Sequence, residues 1–377
     1  MDWETHARCL AADTVRPESR WHAPLAAVPR HVFVPRWWAN EGDRWVLRDG
    51  PADPEAWMQA AYRNRTVVTR VGPLHADDVD PGTETAAGIP TSSSTLPGLV
   101  VAMYRHAVIS DDSDVLVTTG SGYGTALACR RLHDKRVTSI DVDPSLVEKA
   151  GERLESINLR PQMAVCDITG PLPGEFDRIV STVSVRAVPA SWLAALRPGG
   201  RLVTTLAETG LIITADKTAD GGATGQVQWD RAGFMRTRAG EDYPHGIADR
   251  FEEIREAEGE HVTTGRYPVL NVREAWDIWS MLSLTSPGIE HRYETGENRQ
   301  RRAWMVHPDG SWARVEGRWI DPPTVHQGGP RRLWDELERI RHRLNAEGGL
   351  PVYGAQVRVD PDGTTHLSRG NWSATIS

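Results

Sequence analysis

The stretch DVLVTTGSGYGT at 114 to 125, followed by the carboxylate of Asp141 at the end of VTSID, constrains this chain more than any other feature. An apolar, β-branched run ends in a glycine turn, a helical stretch follows, and a second apolar run ends in an acid. Small residues at Gly120, Ser121 and Gly122 let a ligand approach the backbone, and an acid about 20 residues further on is placed to hold ribose hydroxyls. That order predicts a βαβ unit built around an adenosine-containing cofactor. The dinucleotide pattern would need its third glycine at Thr125, whereas the chain carries Gly124, which disfavours NAD. The competing reading is a tight glycine turn in some other α/β protein.

The surroundings continue the alternation. Strands are expected at 114–119, 136–141, 162–165, 176–182 and 200–206, with helices at 122–132, 144–157 and 189–196. Short connections and crossover helices imply parallel strands in a doubly wound α/β sheet. The run TGLIITADKTADGGATGQVQWDR reads as two further strands around a glycine-rich hairpin. Three regions follow from this: a mostly helical N-terminal region over 1–109, a cofactor-binding core over 110–235, and a C-terminal α+β extension over 236–377. Within the extension a helix is expected at 331–346 and strands in WARVEGRWI and at 351–359.

With 377 residues, 39% of them hydrophobic, the chain has enough apolar surface for packed cores and more than one domain. Its 43 Lys and Arg against 51 Asp and Glu, a net charge of −8, leave no global footprint for nucleic acid. Cys9, Cys129 and Cys166 have neither metal-ligand spacing nor a disulfide framework, so no metal is expected and a reducing, cytoplasmic setting is. The N-terminus lacks signal or transit character, and no run approaches the roughly 18 apolar residues of a membrane span. Eight of the 15 tryptophans lie beyond residue 225 and are read as core residues rather than as a binding surface.

Three further segments stand in order around the turn: VPRHVFVP at 28–35, TSSSTLP at 91–97, and CDITGPLPGEFDRIVSTVSVRAVPASWLAALRPGGRLV from Cys166. Taken with GSGY they resemble the protein-L-isoaspartate O-methyltransferases, over about residues 20 to 215. The resemblance implies a Rossmann-like class I S-adenosylmethionine-dependent methyltransferase fold, with S-adenosyl-L-methionine as methyl donor and S-adenosylhomocysteine as product. It places Thr119, Gly120, Ser121 and Gly122 at the cofactor turn, Asp141 and Val142 at the ribose, and Asp167 and Ile168 beside the adenine. Thr95, with Ser94, would orient the accepting carboxylate, and Ser93, Thr182 and Val183 would form the substrate side. The partner implied is a peptide or protein bearing aspartate or isoaspartate.

Each assignment has a plainer competitor. Thr95 also fits a cap of the helix opening near Pro97, and Asp141 and Asp167 fit exposed acids at strand ends. Arg30 and His31 are read as structural, and the basic stretch HRYETGENRQRR at 291–302 as a solvated loop. The chain also departs from the resembled pattern: Thr118 stands at the first glycine of GTGSGY, Leu116 at an acid, and Thr95 at a serine.

The chemistry suits the absence of a Ser-His-Asp or paired-carboxylate constellation. An aspartate, with an ordinary pKa of about 3.9, is already a nucleophile at pH 7. A methyl-transfer site must therefore supply alignment and exclusion of water, worth about 7 to 11 kcal/mol in a well-oriented pair. The long extension resembles the aspartate methyltransferases that accompany ribosomally made, modified peptides, in which an esterified aspartate of a cyclised precursor closes to a succinimide. Two alternatives stay open: repair of isoaspartyl proteins, and a noncatalytic interaction module on a decayed methyltransferase fold.

Overall fold

The computed structural model of the protein describes residues 2–86, 88–238, 246–247 and 249–377. Asp2 accepts the Thr5 N–H at 3.1 Å and starts helix α1 (Trp3–Thr14), whose buried face is Ala7, Leu10 and Ala11; α2 (His22–Ala27) follows. The expectation of a mostly helical N-terminal region is corrected at this point. The chain continues through β1 (Arg36–Asn40), β2 (Arg44–Asp49), α3 (Pro54–Ala61), β3 (Val67–Val71), β4 (Leu74–His75), β5 (Glu84–Ala86) and β6 (Pro90–Ser94). Its six strands form one antiparallel sheet in the order β4-β3-β1-β2-β5, with β6 also on β3. Trp37, Trp38, Val46, Leu47, Val67 and Val71 are buried in it. Aromatic and β-branched side chains pack well on a pleated surface, and here that preference outweighs any helical reading.

The expected alternation is then met nearly element for element: α4 (Pro97–His106), β7 (Val115–Thr118), α5 (Tyr123–Leu132), β8 (Val137–Asp141), α6 (Pro144–Ser156), β9 (Gln162–Val165), β10 (Phe176–Val185), α7 (Ala190–Ala195) and β11 (Leu196–Leu206). The five strands are parallel in the order β9-β8-β7-β10-β11. The winding reverses between β7 and β10, and open α/β sheets bind ligands at the carboxyl ends of the strands flanking such a reversal. The glycine hairpin supplies β12 (Leu211–Lys217) and β13 (Ala223–Arg231), which continue the sheet antiparallel.

The extension contains α8 (Arg250–Glu253), β14 (His261–Thr264), α9 (Trp276–Thr285), β15 (Glu290–Thr295), β16 (Gln300–Val306), β17 (Trp312–Arg318), β18 (Thr324–Gly328) and α10 (Leu333–Glu347). Its strands form a separate antiparallel sheet, β14-β18-β17-β16-β15. The basic stretch at 291–302 spans β15 and the start of β16, so it is sheet and turn rather than a free loop. The last segment, β19 (Gln356–Val359), β20 (Thr365–Arg369) and β21 (Trp372–Ile376), returns to β13 and extends the central sheet to ten strands. Val357, Val359, Leu367 and Trp372 share one apolar cluster with Ile213, Ala215 and Val227, so the expected boundary at 235 is bridged by a common core. Among the described residues no helix is long and apolar enough to cross a membrane.

Candidate functional site

The turn after β7 is built by glycine geometry and buried hydroxyls. Gly120 and Gly122 have φ of +50° and +89°, and a Cβ on Gly122 would lie 2.9 Å from Ala150 Cβ and 3.3 Å from the Phe33 ring. Only glycine fits there. Thr119 Oγ1 and Thr125 Oγ1 lie 2.7 and 2.8 Å from Ser139 Oγ, which ties the turn and α5 to β8. Thr119 and Ser121 are buried, and neither they nor Gly122 lines the cavity beside the turn. They shape the turn; Gly120 meets the open space.

Asp141 ends β8 and grips the same turn. Its Oδ2 accepts the Gly120 N–H at 3.0 Å and its Oδ1 accepts the Asp143 N–H at 3.2 Å. Burial pushes the Asp141 carboxyl above its ordinary range, and the two backbone N–H groups only partly offset this. Each oxygen keeps acceptor capacity for a second donor. Asp167 follows β9, where its Oδ1 accepts both the N–H and the hydroxyl of Thr169 at 2.8 Å. Ile168 is buried beside it, with its carbonyl held by Trp192 Nε1 at 2.6 Å.

These groups surround one cavity of about 320 Å³. Gly120, Ile140, Asp141, Val142, Asp167 and Ile168 line one part, and Ser93, Thr95, Thr118, Thr182 and Val183 line another. Thr118 Oγ1 lies 2.7 Å from Thr182 Oγ1 and accepts the Thr182 N–H at 2.9 Å, closing the gap between β7 and β10. Leu116, the other departure, is fully buried in the apolar core.

The hydroxyl run divides sharply. Thr91 Oγ1 donates to the Gly72 carbonyl at 2.7 Å, Ser92 Oγ accepts from Thr69 at 3.1 Å, and Ser94 is buried and absent from the cavity wall. Ser94 therefore does not join Thr95 at the cavity. Among the described residues the hydroxyls of Ser93 and Thr95 have no hydrogen-bond partner, and both residues line it. Nor is Thr95 the cap of α4: Asn64 Oδ1 accepts the Gly98 N–H at 2.8 Å, and Thr66 Oγ1 accepts that of Leu96 at 3.3 Å.

Arg30, from VPRHVFVP, holds this loop from behind. Its buried guanidinium donates to the carbonyls of Ala61 and Arg63 at 2.9 Å, Arg65 at 2.8 Å, Ser94 at 3.1 Å and Thr95 at 3.2 Å. Burial lowers its pKa to about 10, so it stays charged at neutral pH. His31 is structural as well, with Nδ1 2.7 Å from the Tyr62 hydroxyl.

The remaining wall was not expected from the sequence. Residues 233–238 and Trp276 line the cavity opposite the strand ends. The Ser184 N–H donates to the Met235 carbonyl at 2.7 Å, and the Thr237 N–H to the Ser184 carbonyl at 3.0 Å, so the segment pairs with the overrun of β10 beyond Thr182. Arg236 pairs with Glu208 at 2.8 Å, and Arg238 reaches Asp143 at 3.4 Å. The signal in the sequence is slight: an apolar pair, Phe234 and Met235, between a glycine and two arginines.

Residues 84–230 match the family described as Protein-L-isoaspartate(D-aspartate) O-methyltransferase (PCMT). The protein-L-isoaspartate O-methyltransferase of Nitrobacter winogradskyi is 31% identical over 132 residues, which is 34% of this chain and 60% of that protein. That of Bradyrhizobium sp. (strain ORS 278) is 33% identical over 135 residues, 34% of this chain and 62% of the other. The chain thus spans about three fifths of the length of these curated relatives. A solved protein-L-isoaspartate O-methyltransferase superposes with a TM-score of 0.51 at 16% identity, covering 97% of this chain and 99% of that one. The doubly wound sheet is thus a class I methyltransferase fold, and the likeness extends through the C-terminal extension.

Proposed function

We propose that this chain, which is protein-L-isoaspartate O-methyltransferase-like over residues 84–230, esterifies a side-chain or isoaspartyl carboxylate of a polypeptide with S-adenosyl-L-methionine as methyl donor. One observation carries the reading. A single cavity at the sheet's reversal point joins Gly120, Asp141 and Asp167 to the hydroxyls of Ser93 and Thr95, which have no partner among the described residues. The donor set fits an adenosine: carboxylates at two strand ends, apolar Ile140, Val142 and Ile168 between them, and a glycine, Gly120, whose φ of +50° turns the backbone at the cavity wall.

Asp141 would hold the ribose hydroxyls and Asp167 the adenine edge, while the turn at Gly120 leaves room for the methionine part. The cofactor's contribution is an electrophilic methyl group on a sulfonium. Everything else falls to the chain. The accepting carboxylate is ionised at neutral pH, so no side chain has to remove a proton. Thr95 and Ser93 orient it through hydroxyl donors, which fix its direction without protonating it. Phe234, Met235 and Trp276 line the same cavity with apolar surface, and their part in this reading is to keep water from the reacting groups, so that displacement along one line is favoured over hydrolysis.

The finer substrate we propose is a modified peptide of ribosomal origin, whose esterified aspartate then closes to a succinimide with loss of methanol. The N-terminal sheet and the five-stranded C-terminal sheet offer surface beyond the cavity for a longer polypeptide, but a solved protein-L-isoaspartate O-methyltransferase is alike over nearly the whole chain, so the choice between the two substrates rests on the peptide experiment. Mass spectrometry of a cyclised precursor incubated with enzyme and cofactor tests this: the expected product gains one methylene and then loses methanol. Efficient methylation of a linear isoaspartyl peptide, with the precursor untouched, assigns the chain to repair. Absence of cofactor binding by calorimetry defeats both readings.

A further inference from the structure

A second concave surface meets the candidate catalytic cavity. It is a groove of about 910 Å³ over the N-terminal sheet, and Thr66 lines both spaces. The strand register makes the connection physical. Trp38 pairs with Val68 across β1 and β3, and Val68 pairs with Ser93 across β3 and β6. Directly opposed residues of antiparallel strands share one face, so a single cross-strand row leads from the groove to the partner-free Ser93. Half-buried Trp45 supplies apolar wall further along β2, with Leu47 buried beneath it.

The charges in the groove are unevenly engaged. Asp49 pairs with Arg36 at 3.1 Å, Asp53 accepts the Ala56 N–H at 3.0 Å to start α3, and Arg48 pairs with Glu41. Arg63 and Arg65 remain. Both are exposed, both line the groove beside Thr66, and among the described residues neither guanidinium has a hydrogen-bond or ion-pair partner. Their backbone carbonyls are fixed by Arg30, the residue that also holds the Ser94 and Thr95 carbonyls. The two free cations and the reacting loop are thus anchored on one buried side chain.

We propose that this groove binds the stretch of substrate polypeptide adjoining the methyl-accepting residue, with acidic side chains on Arg63 and Arg65 and apolar side chains against Trp45. The assignment rests on the function proposed above and names its substrate class: an acidic-apolar peptide segment in extended form. Strands β1 to β3 and helix α3 precede the sequence-family match at residue 84, although the likeness to a solved structure takes them in.

The test compares two sets of synthetic peptides on the full chain. Each carries one aspartyl or isoaspartyl residue, flanked on either side by Glu-Glu-Leu-Leu or by Gln-Gln-Ser-Ser. The wild type should favour the acidic-apolar set in kcat/KM, and the double variant R63E/R65E should cut that preference about tenfold, the effect of reversing two exposed charge contacts. Cofactor affinity, measured alongside, reports that the cavity is intact. Equal kcat/KM for the two sets in wild type, or a preference unchanged in the variant, overturns the proposal. A dye-labelled acidic-apolar peptide with Asn at the accepting position separates the two readings. Arginine-dependent binding of that peptide, with no methylation of any aspartyl form, supports the groove and removes the methyltransferase reading.

Discussion

Thr118 and Thr182 bridge the reversal point of the sheet: their hydroxyl oxygens lie 2.7 Å apart, and Thr118 Oγ1 also accepts the Thr182 N–H at 2.9 Å. A glycine at 118, as in the resembled turn, makes neither contact. The departure that looked like decay in the sequence is thus a structural tie between β7 and β10 at the cavity. Thr118→Val should leave the Thr182 N–H unpaired and cost about 1 to 2 kcal/mol of stability, read from urea unfolding. Because Thr182 lines the part of the cavity proposed for the substrate, methyl transfer should fall more than cofactor affinity does; an equal fall in both would place Thr118 at the cofactor alone.

Asp141 is the acid whose removal should act on the cofactor. Its two oxygens fix the Gly120 and Asp143 N–H groups, and it faces the cavity. Asp141→Ala should weaken S-adenosylmethionine binding about 10- to 100-fold, the range for losing a hydrogen bond to a charged group. Calorimetry reads this directly, and unaltered affinity would remove Asp141 from the ribose.

The central sheet was legible because its signals are local. A β-branched run, a glycine turn and an acid at a strand end specify β7 to β8 within 30 residues, and the structure departs from the expected bounds there by a residue or two. What escaped depends on pairing at long range. The N-terminal sheet joins Trp38 to Val68 and Val67 to Ser94, and residues 356–376 find β13 across more than 100 residues. No local period announces such partners. The hydroxyl run shows the same limit: the sequence names Ser92 to Thr95, but long-range contacts decide that the Ser92 hydroxyl is taken by Thr69 and Ser94 turns toward Arg30, while Ser93 and Thr95 line the cavity with hydroxyls unengaged among the described residues.

Arg30 should be the costliest single loss near the site. Its guanidinium serves five carbonyls in a buried position, and a neutral replacement leaves most of them without donors. Arg30→Met should destabilise by about 3 to 5 kcal/mol, the range for breaking a buried charged network. Arg30→Lys keeps the charge but lacks the planar fork, so it should recover only part of that stability. The decisive readout is methyl transfer under conditions where Arg30→Lys remains folded: the rate should drop as the end of β6 and Thr95 loosen, and a wild-type rate would mean that the pairing of β6 with β3 holds them alone.

His291 gives the C-terminal unit a calculable response to acid. Among the described residues both ring nitrogens are buried without a partner, and burial, assisted by the Arg273 charge, pushes the pKa down from 6.5 to about 4. Between those two values the unfolded chain binds a proton that the folded chain refuses. Stability therefore rises with pH through the window, by up to about 1.4 kcal/mol per pH unit, and this contribution is fully present above the unfolded value and lost as pH falls toward 4. His291→Phe removes the titration while keeping a ring in place. Urea unfolding at steps between pH 4.5 and 7 should give a flatter profile for the variant than for the wild type. Parallel profiles would show that His291 takes up its proton without unfolding the sheet around it.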